Sequence, residues 1–127
     1  MLAYVRDEPG AEVVQLALAR SAAINLVNWA EVLTVIIRRG GVVPEFQRRL
    51  MAAGILGPDG LLTMVGITAE DAQLTAELYP ISSGAGLSLG DRMCMATGIR
   101  LHLSVFTAER AWLGRSIPGL DIRLIRG

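Results

Sequence analysis

The sequence contains no lysine, only one cysteine and only one histidine. All twelve basic residues are arginines, which excludes Schiff-base chemistry, a P-loop and a lysine general base. Cys94 cannot form an internal disulfide, which fits a reducing cytoplasm. Cys94 and His102 are also too few for a zinc site or the usual cysteine–histidine catalytic pair. If the protein is an enzyme, we expect its chemistry to depend on Asp and Glu with a hard divalent cation.

The sequence also lacks net charge and targeting signals. Twelve acidic residues balance the twelve arginines, so no overall field draws the chain to nucleic acid or to an anionic membrane. Arg6, Asp7 and Glu8 interrupt the first apolar run too early for a signal peptide. The apolar segment 25–37 is too short and too polar to cross a bilayer. We therefore expect a cytoplasmic protein without a membrane partner.

The composition, with 52% hydrophobic residues in a chain of 127, predicts one domain with a substantial core. Short apolar strands alternate with helices, which predicts an α/β fold with a parallel sheet covered on both faces. The predicted strands are 21–24, 61–67, 101–106 and, as an edge strand, 119–126. The predicted helices are 1–6, 11–20, 25–37, 44–54, 68–79, 88–99 and 107–112.

The segment 86–92, with the sequence GLSLGDR, has the pattern of a helix N-terminus. Ser88 is a suitable N-cap, and Asp91 can accept a hydrogen bond from the backbone of Ser88, which together make a capping box. The helix dipole also favours the negative charge of Asp91. A purely structural role explains this segment as well as a functional one does, so the rest of the chain must decide between them.

Glu31 is the only charged residue between Arg20 and Arg38. Apolar residues surround it on every helical face, so we expect a partly buried carboxylate that is paired, neutralised or bound to a metal. Asn28, one turn earlier on the same face, is its expected neutral partner. The alternative is a structural Glu satisfied by an arginine or a helix cap.

Three carboxylates follow predicted strands or begin predicted helices. Ligands of parallel α/β sheets bind beyond the carboxyl ends of the strands. Glu31, Asp91 and Glu109 are all placed so that they could converge there. A solvated face, the helix dipole or a structural role explains the other charged or titratable candidates. These candidates are Arg38, Arg39, Arg48, Arg49, Glu70, Asp71 and His102.

Four segments resemble the PIN-domain ribonucleases of the VapC toxin type: 2–10, 27–32 (VNWAEV), 86–92 and 106–112 (FTAERAW). The resemblance covers essentially the whole chain. It implies a three-layer α/β/α sandwich with a parallel sheet, and Mg²⁺ or Mn²⁺ held by clustered carboxylates. It also implies hydrolysis of RNA phosphodiester bonds by a metal-activated water, a cognate antitoxin and a homodimer.

The resemblance assigns roles to individual residues. Glu31 and Asp91 match two acidic positions of that family, and Glu109 stands where the family more often has Asp. These three are the implied catalytic metal ligands. Asn28, Ser88 and Thr107 are the implied polar neighbours that support them.

Members of that family begin with an apolar strand that ends in Asp, upstream of the helix that here starts at Met1. We therefore expect residues 1–127 to form a PIN-like domain without that strand, with weak or absent metal-dependent cleavage. A misassigned start codon, trimming and degeneration are the three explanations, and an in-frame apolar run ending in Asp upstream of Met1 would support the first.

Two other functions compete with the nuclease. One is a non-catalytic PIN-like module that binds an antitoxin or RNA. The other is a different magnesium-dependent α/β protein, such as a phosphatase or a receiver domain, which is disfavoured because those folds rely on a lysine.

Overall fold

A computed structural model of the protein contains strand β1 (Ala22–Asn25), which pairs in parallel with β2 (Leu62–Val65). The model describes residues 22–82, 87–107, 119 and 121–124. The chain divides into two compact units, residues 1–65 and 66–127. The predicted helices 1–6 and 11–20 lie outside the described residues, as does residue 109.

Helix α1 (Leu26–Arg38) begins directly after β1. Asn25 is its N-cap, because the Oδ1 atom of Asn25 accepts a hydrogen bond of 2.8 Å from the backbone N–H of Asn28. Trp29 and Val32 form the buried face of α1. The ring of Trp29 stacks on Phe46, with 6.0 Å between the ring centroids.

Helix α2 (Val43–Ala52) carries a proline in its first turn, where a missing N–H costs nothing, and buries Phe46 and Leu50. Gly54, at a φ of +76°, follows its last turn. The connection to β2 buries Ile55, whose carbonyl accepts the N–H of Leu62 at 2.9 Å. These elements match the predicted helices 25–37 and 44–54 and the predicted strands 21–24 and 61–67 to within a few residues.

The second unit contains three helices, which are α3 (Ala69–Glu77), α4 (Tyr79–Ser82) and α5 (Leu89–Leu101). Strands β3 (Val105–Thr107) and β4 (Ile122–Leu124) pair in parallel, with Val105 opposite Ile122. A core cluster joins α5 to the residues around it, through Leu78, Met95, Ala96 and Val105. Both described strand pairs are parallel and alternate with helices, which confirms the predicted α/β class.

The expected strand 101–106 is wrong at its start. Leu101 is the last residue of α5, and His102 has the left-handed backbone conformation, with φ 56° and ψ 43°. The N–H of His102 donates to Ile99, and the N–H of Leu103 donates to Gly98, which closes the helix with a Schellman motif. The apolar residues that suggested an early strand therefore complete the last turn of α5 and its cap.

None of the helices in the described part of the chain is long and apolar enough to span a membrane. The longest of them, α1 and α5, have 13 residues each, whereas a membrane span needs about 20.

Candidate functional site

Asp91 lies in the first turn of α5 and forms a reciprocal pair with Ser88. The N–H of Asp91 donates to Ser88 Oγ at 3.1 Å, and Asp91 Oδ2 accepts the N–H of Ser88 at 2.9 Å. This confirms the predicted capping box. Within the described residues, the other oxygen, Oδ1, accepts no hydrogen bond. The cap therefore fixes the orientation of the carboxylate, and no described residue occupies its other oxygen.

Glu31 is exposed, and the expectation of a partly buried carboxylate is wrong. Trp29 and Val32 mark the side of α1 that faces the core, and Glu31 lies on the opposite side of the helix. Apolar residues also occupy the outer face, since Leu26 is 50% exposed. The apolar neighbours of Glu31 in the sequence therefore do not bury it, and its carboxylate is exposed to water.

Asn28 is the partner of Glu31, as the sequence predicts. The side-chain Nδ2 of Asn28 donates to Glu31 Oε1 at 2.8 Å. The backbone N–H of the same Asn28 is held by the N-cap Asn25. Glu31 Oε2 accepts no hydrogen bond from the described residues. The amide thus orients one oxygen of Glu31 and leaves the other available, which parallels the arrangement at Asp91.

The predicted convergence of the three carboxylates stays a prediction. Glu31 belongs to the first unit and Asp91 to the second, and Glu109 lies outside the described residues. Thr107 is the last residue of β3, in register with Leu124. Among residues 22–82, 87–107, 119 and 121–124, no three His, Cys, Asp or Glu side chains cluster closely enough to hold a metal.

The chemistry of the available oxygens fits a hard cation. Asp91 Oδ1 and Glu31 Oε2 are carboxylate oxygens without a partner in the described part of the chain. Mg²⁺ usually binds one or two carboxylates and keeps several of its waters. Each of these side chains can supply one such oxygen, while its second oxygen stays bound to Asn28 or to Ser88.

Asp71 makes a different kind of carboxylate site. Its side chain is fully buried, accepts the N–H of Thr68 at 3.1 Å and forms a salt bridge of 2.6 Å with Arg100 Nε. Burial acts to raise the pKa of Asp71, but the hydrogen bonds from Arg100 and Thr68 and the charge of Arg100 outweigh it and lower that pKa below the ordinary value of an aspartate. The helix dipole is therefore only part of the reason for an acid at this position.

The sequence model of the PIN domain family matches residues 1–114. The chain belongs to the PIN domain family. No curated protein and no solved structure matches the chain significantly. The family match includes Glu31, Asp91 and Glu109, and PIN domains are generally nucleases that depend on a divalent metal. Family membership therefore supports a nuclease-type function for this PIN domain.

The PIN domain also holds an arginine directly beside Asp91. Arg92 Nη1 donates to the carbonyl of Thr75 at 2.9 Å, and Arg92 Cζ lies 5.3 Å from the ring centroid of Tyr79. Arg92 Nε is buried and has no hydrogen-bond partner among the described residues. An unpaired buried N–H costs about 1–3 kcal/mol. The position of Arg92 directly after a candidate metal ligand is a signal in the sequence, whereas no sequence pattern indicates its contact with Tyr79.

Proposed function

We propose that this PIN domain is a metal-dependent endoribonuclease and the toxin of a type II toxin–antitoxin module. The observation that carries the proposal is the geometry of Asp91, within a chain that the family model matches over residues 1–114. Ser88 holds one oxygen of this carboxylate, and the other accepts no hydrogen bond from the described part of the chain. The substrate is RNA, hydrolysed at its phosphodiester bonds.

Glu31, Asp91 and Glu109 are the proposed ligands of Mg²⁺ or Mn²⁺. When bound, the cation would lower the pKa of a water and offset the charge on the scissile phosphate. Ser88 orients Asp91, and Asn28 orients Glu31, through the hydrogen bonds that the structure contains. Thr107 is the proposed polar neighbour of Glu109.

The toxin role rests on the resemblance of segments 27–32, 86–92 and 106–112 to VapC toxins. This role implies a cognate antitoxin, a homodimer and a cytoplasmic location. Expression of the toxin in a bacterial host should stop growth, and Asp91→Asn should abolish that effect. Co-expression of a small neighbouring reading frame should restore growth, and light scattering should give the mass of a dimer.

The test of the enzymatic proposal is cleavage of a labelled single-stranded RNA by the purified full-length protein. Cleavage, even if weak, should require Mg²⁺ or Mn²⁺, stop with a chelator, and be lost in Asp91→Asn. Asp59→Asn removes an exposed carboxylate from the 57–60 turn and should leave cleavage unchanged. Equal melting temperatures for both variants would show that Asp91→Asn acts on the reaction and not on folding.

The competing function is a non-catalytic PIN-like module. Its signature is a folded full-length protein that binds RNA or the antitoxin but gives no metal-dependent cleavage. That result would overturn the nuclease proposal, and so would an Asp91→Asn variant that cleaves at the wild-type rate.

A further inference from the structure

We propose that Tyr79 binds a base of single-stranded RNA by stacking, in a subsite beside Asp91, and that Arg92 positions its ring. This inference rests on the proposed function, because it names the form of RNA that the same site binds. Asp91, Arg92 and Tyr79 all belong to the second unit of the chain.

Tyr79 is an exposed aromatic residue with a fixed partner. The tyrosine is 62% exposed, whereas Trp29 and Phe46 are buried in the first unit. Exposure of a large aromatic side chain leaves apolar ring surface in water, where a ligand can cover it. Tyr79 begins the short helix α4, directly after the buried Leu78. Its backbone is therefore anchored while its side chain faces solvent.

Arg92 lies over the ring of Tyr79. The guanidinium carbon lies 5.3 Å from the ring centroid, within the range of a cation–π interaction. Its Nη1 is tied to the carbonyl of Thr75, so the guanidinium cannot rotate freely away from the ring. The Nε atom is buried without a hydrogen-bond partner in the described part of the chain.

One member of the pair, Arg92, is the chain neighbour of the candidate ligand Asp91. Arg92 follows Asp91 in the first turn of α5, and its guanidinium lies over the ring of Tyr79, so this turn carries both the candidate ligand and the residue that contacts the ring. Unpaired RNA bases stack on aromatic side chains and on guanidinium planes, whereas bases in a duplex are not accessible. The positive charge of Arg92 also favours the approach of the phosphate backbone. An unpaired base of the RNA strand is thus the proposed occupant.

Fluorescence of 2-aminopurine tests this inference, because stacking on an aromatic ring quenches it. The probe is a short single-stranded RNA that carries one 2-aminopurine, titrated with full-length protein in the Asp91→Asn background. We expect quenching on binding, which Tyr79→Phe retains. Tyr79→Ala should lose the quenching and bind at least about fivefold more weakly. Leu103→Ala removes another exposed apolar side chain of the same unit and should change neither quantity.

Arg92→Lys tests the positioning role, because it keeps the charge and removes the planar group over the ring. Affinity should fall little, whereas quenching at saturation should fall clearly. A residue that only stabilised the fold would change the melting temperature and leave the quenching at saturation intact, which would overturn this role.

Two results would overturn the stacking role, and they are distinguishable from failure of the nuclease proposal. Equal affinity and quenching for Tyr79→Ala, together with RNA cleavage by the wild-type protein, would refute the inference and leave the nuclease. Tighter binding of a duplex than of the single strand would also refute the inference alone. A wild-type protein that neither binds nor cleaves RNA would refute both.

Discussion

Arg100 Nε donates to Asp71 Oδ1 at 2.6 Å, although the two residues are 29 positions apart in the chain. Asp71 is fully buried, while the Arg100 side chain remains 20% exposed and reaches the carbonyl of Gly66 with its Nη2. The salt bridge joins the first turn of α3 to the last turn of α5. It therefore fixes, from the far end, the helix whose first turn carries Asp91.

The salt bridge predicts a stability that depends on pH. Because the pKa of Asp71 is lowered in the folded protein, the folded state binds fewer protons there than the unfolded state does. Its stabilising effect is fully present above the ordinary pKa of an unfolded aspartate, about 3.9, and is lost as the pH falls through the lowered pKa. Asp71→Asn should reduce the free energy of unfolding by about 2 kcal/mol at pH 7. Urea denaturation between pH 7 and acid should show the wild type and the variant converging.

Glu77→Gln is the control for this prediction, because it neutralises an exposed carboxylate of the same helix. Its denaturation curves should follow those of the wild type. A constant difference between wild type and Asp71→Asn at every pH would show that the loss is steric and not linked to protonation.

The two capping boxes allow stability to be separated from catalysis. Thr68 and Ser88 make the same reciprocal bonds, with Asp71 and with Asp91 respectively. Thr68→Ala and Ser88→Ala should each cost about 1 kcal/mol in the free energy of unfolding. Only Ser88→Ala should also slow RNA cleavage, by about tenfold or more, because it loosens the turn that orients Asp91. Chemical denaturation and initial cleavage rates measure the two effects. Equal loss of cleavage in both variants would mean that the rate only follows stability.

The pair of Asn28 and Glu31 predicts a split between binding and stability. Glu31→Gln keeps an oxygen that can accept the Asn28 amide but removes the charge, so Mn²⁺ binding and cleavage should fall while the melting temperature stays constant. Asn28→Ala should weaken Mn²⁺ binding by about 10- to 100-fold through loss of orientation. Paramagnetic resonance of Mn²⁺ measures the binding.

The matched control for Glu31→Gln is Glu45→Gln, which neutralises an exposed carboxylate in the first turn of α2. It should leave both Mn²⁺ binding and cleavage unchanged. If Glu45→Gln weakens Mn²⁺ binding as much as Glu31→Gln does, the effect is general electrostatics and Glu31 is not a ligand.

His102 predicts a stabilising substitution. Its left-handed backbone, with φ 56°, brings the β-carbon close to the backbone, and glycine avoids that strain. His102→Gly should raise the free energy of unfolding by up to about 1 kcal/mol. Arg39 is the C-cap of α1 at a φ of −99°, where glycine relieves no strain, so Arg39→Gly should not stabilise. Thermal denaturation of the two variants decides the matter, and a destabilised His102→Gly would contradict the argument.

Local patterns were the part of the fold that the sequence predicted well. The Ser88–Asp91 box and the Asn28–Glu31 pair each span three residues, so helical geometry alone brings the groups together. The Glu31 environment was harder, because apolar residues on all sides of a helix do not reveal which side meets the core. Leu26 remains half-exposed on the outer face.

Long-range pairings were not accessible in the same way. Nothing in the neighbourhood of Asp71 identifies Arg100 among twelve arginines as its partner. The stack of Arg92 on Tyr79 likewise depends on how α4 and α5 pack. The left-handed conformation of His102 is uncommon for a residue other than glycine. The end of α5 at this residue could therefore not be predicted from the sequence.

Helix α5 is fastened at both ends, by the Ser88 cap at its start and by the Arg100 salt bridge in its last turn. Both contacts oppose sliding of the helix and unwinding of its end turns when a ligand binds. We therefore expect side chains to rotate when a ligand binds at Asp91, while the backbone of α5 keeps its position. Structures determined with and without a bound cation should therefore superimpose along the whole of α5.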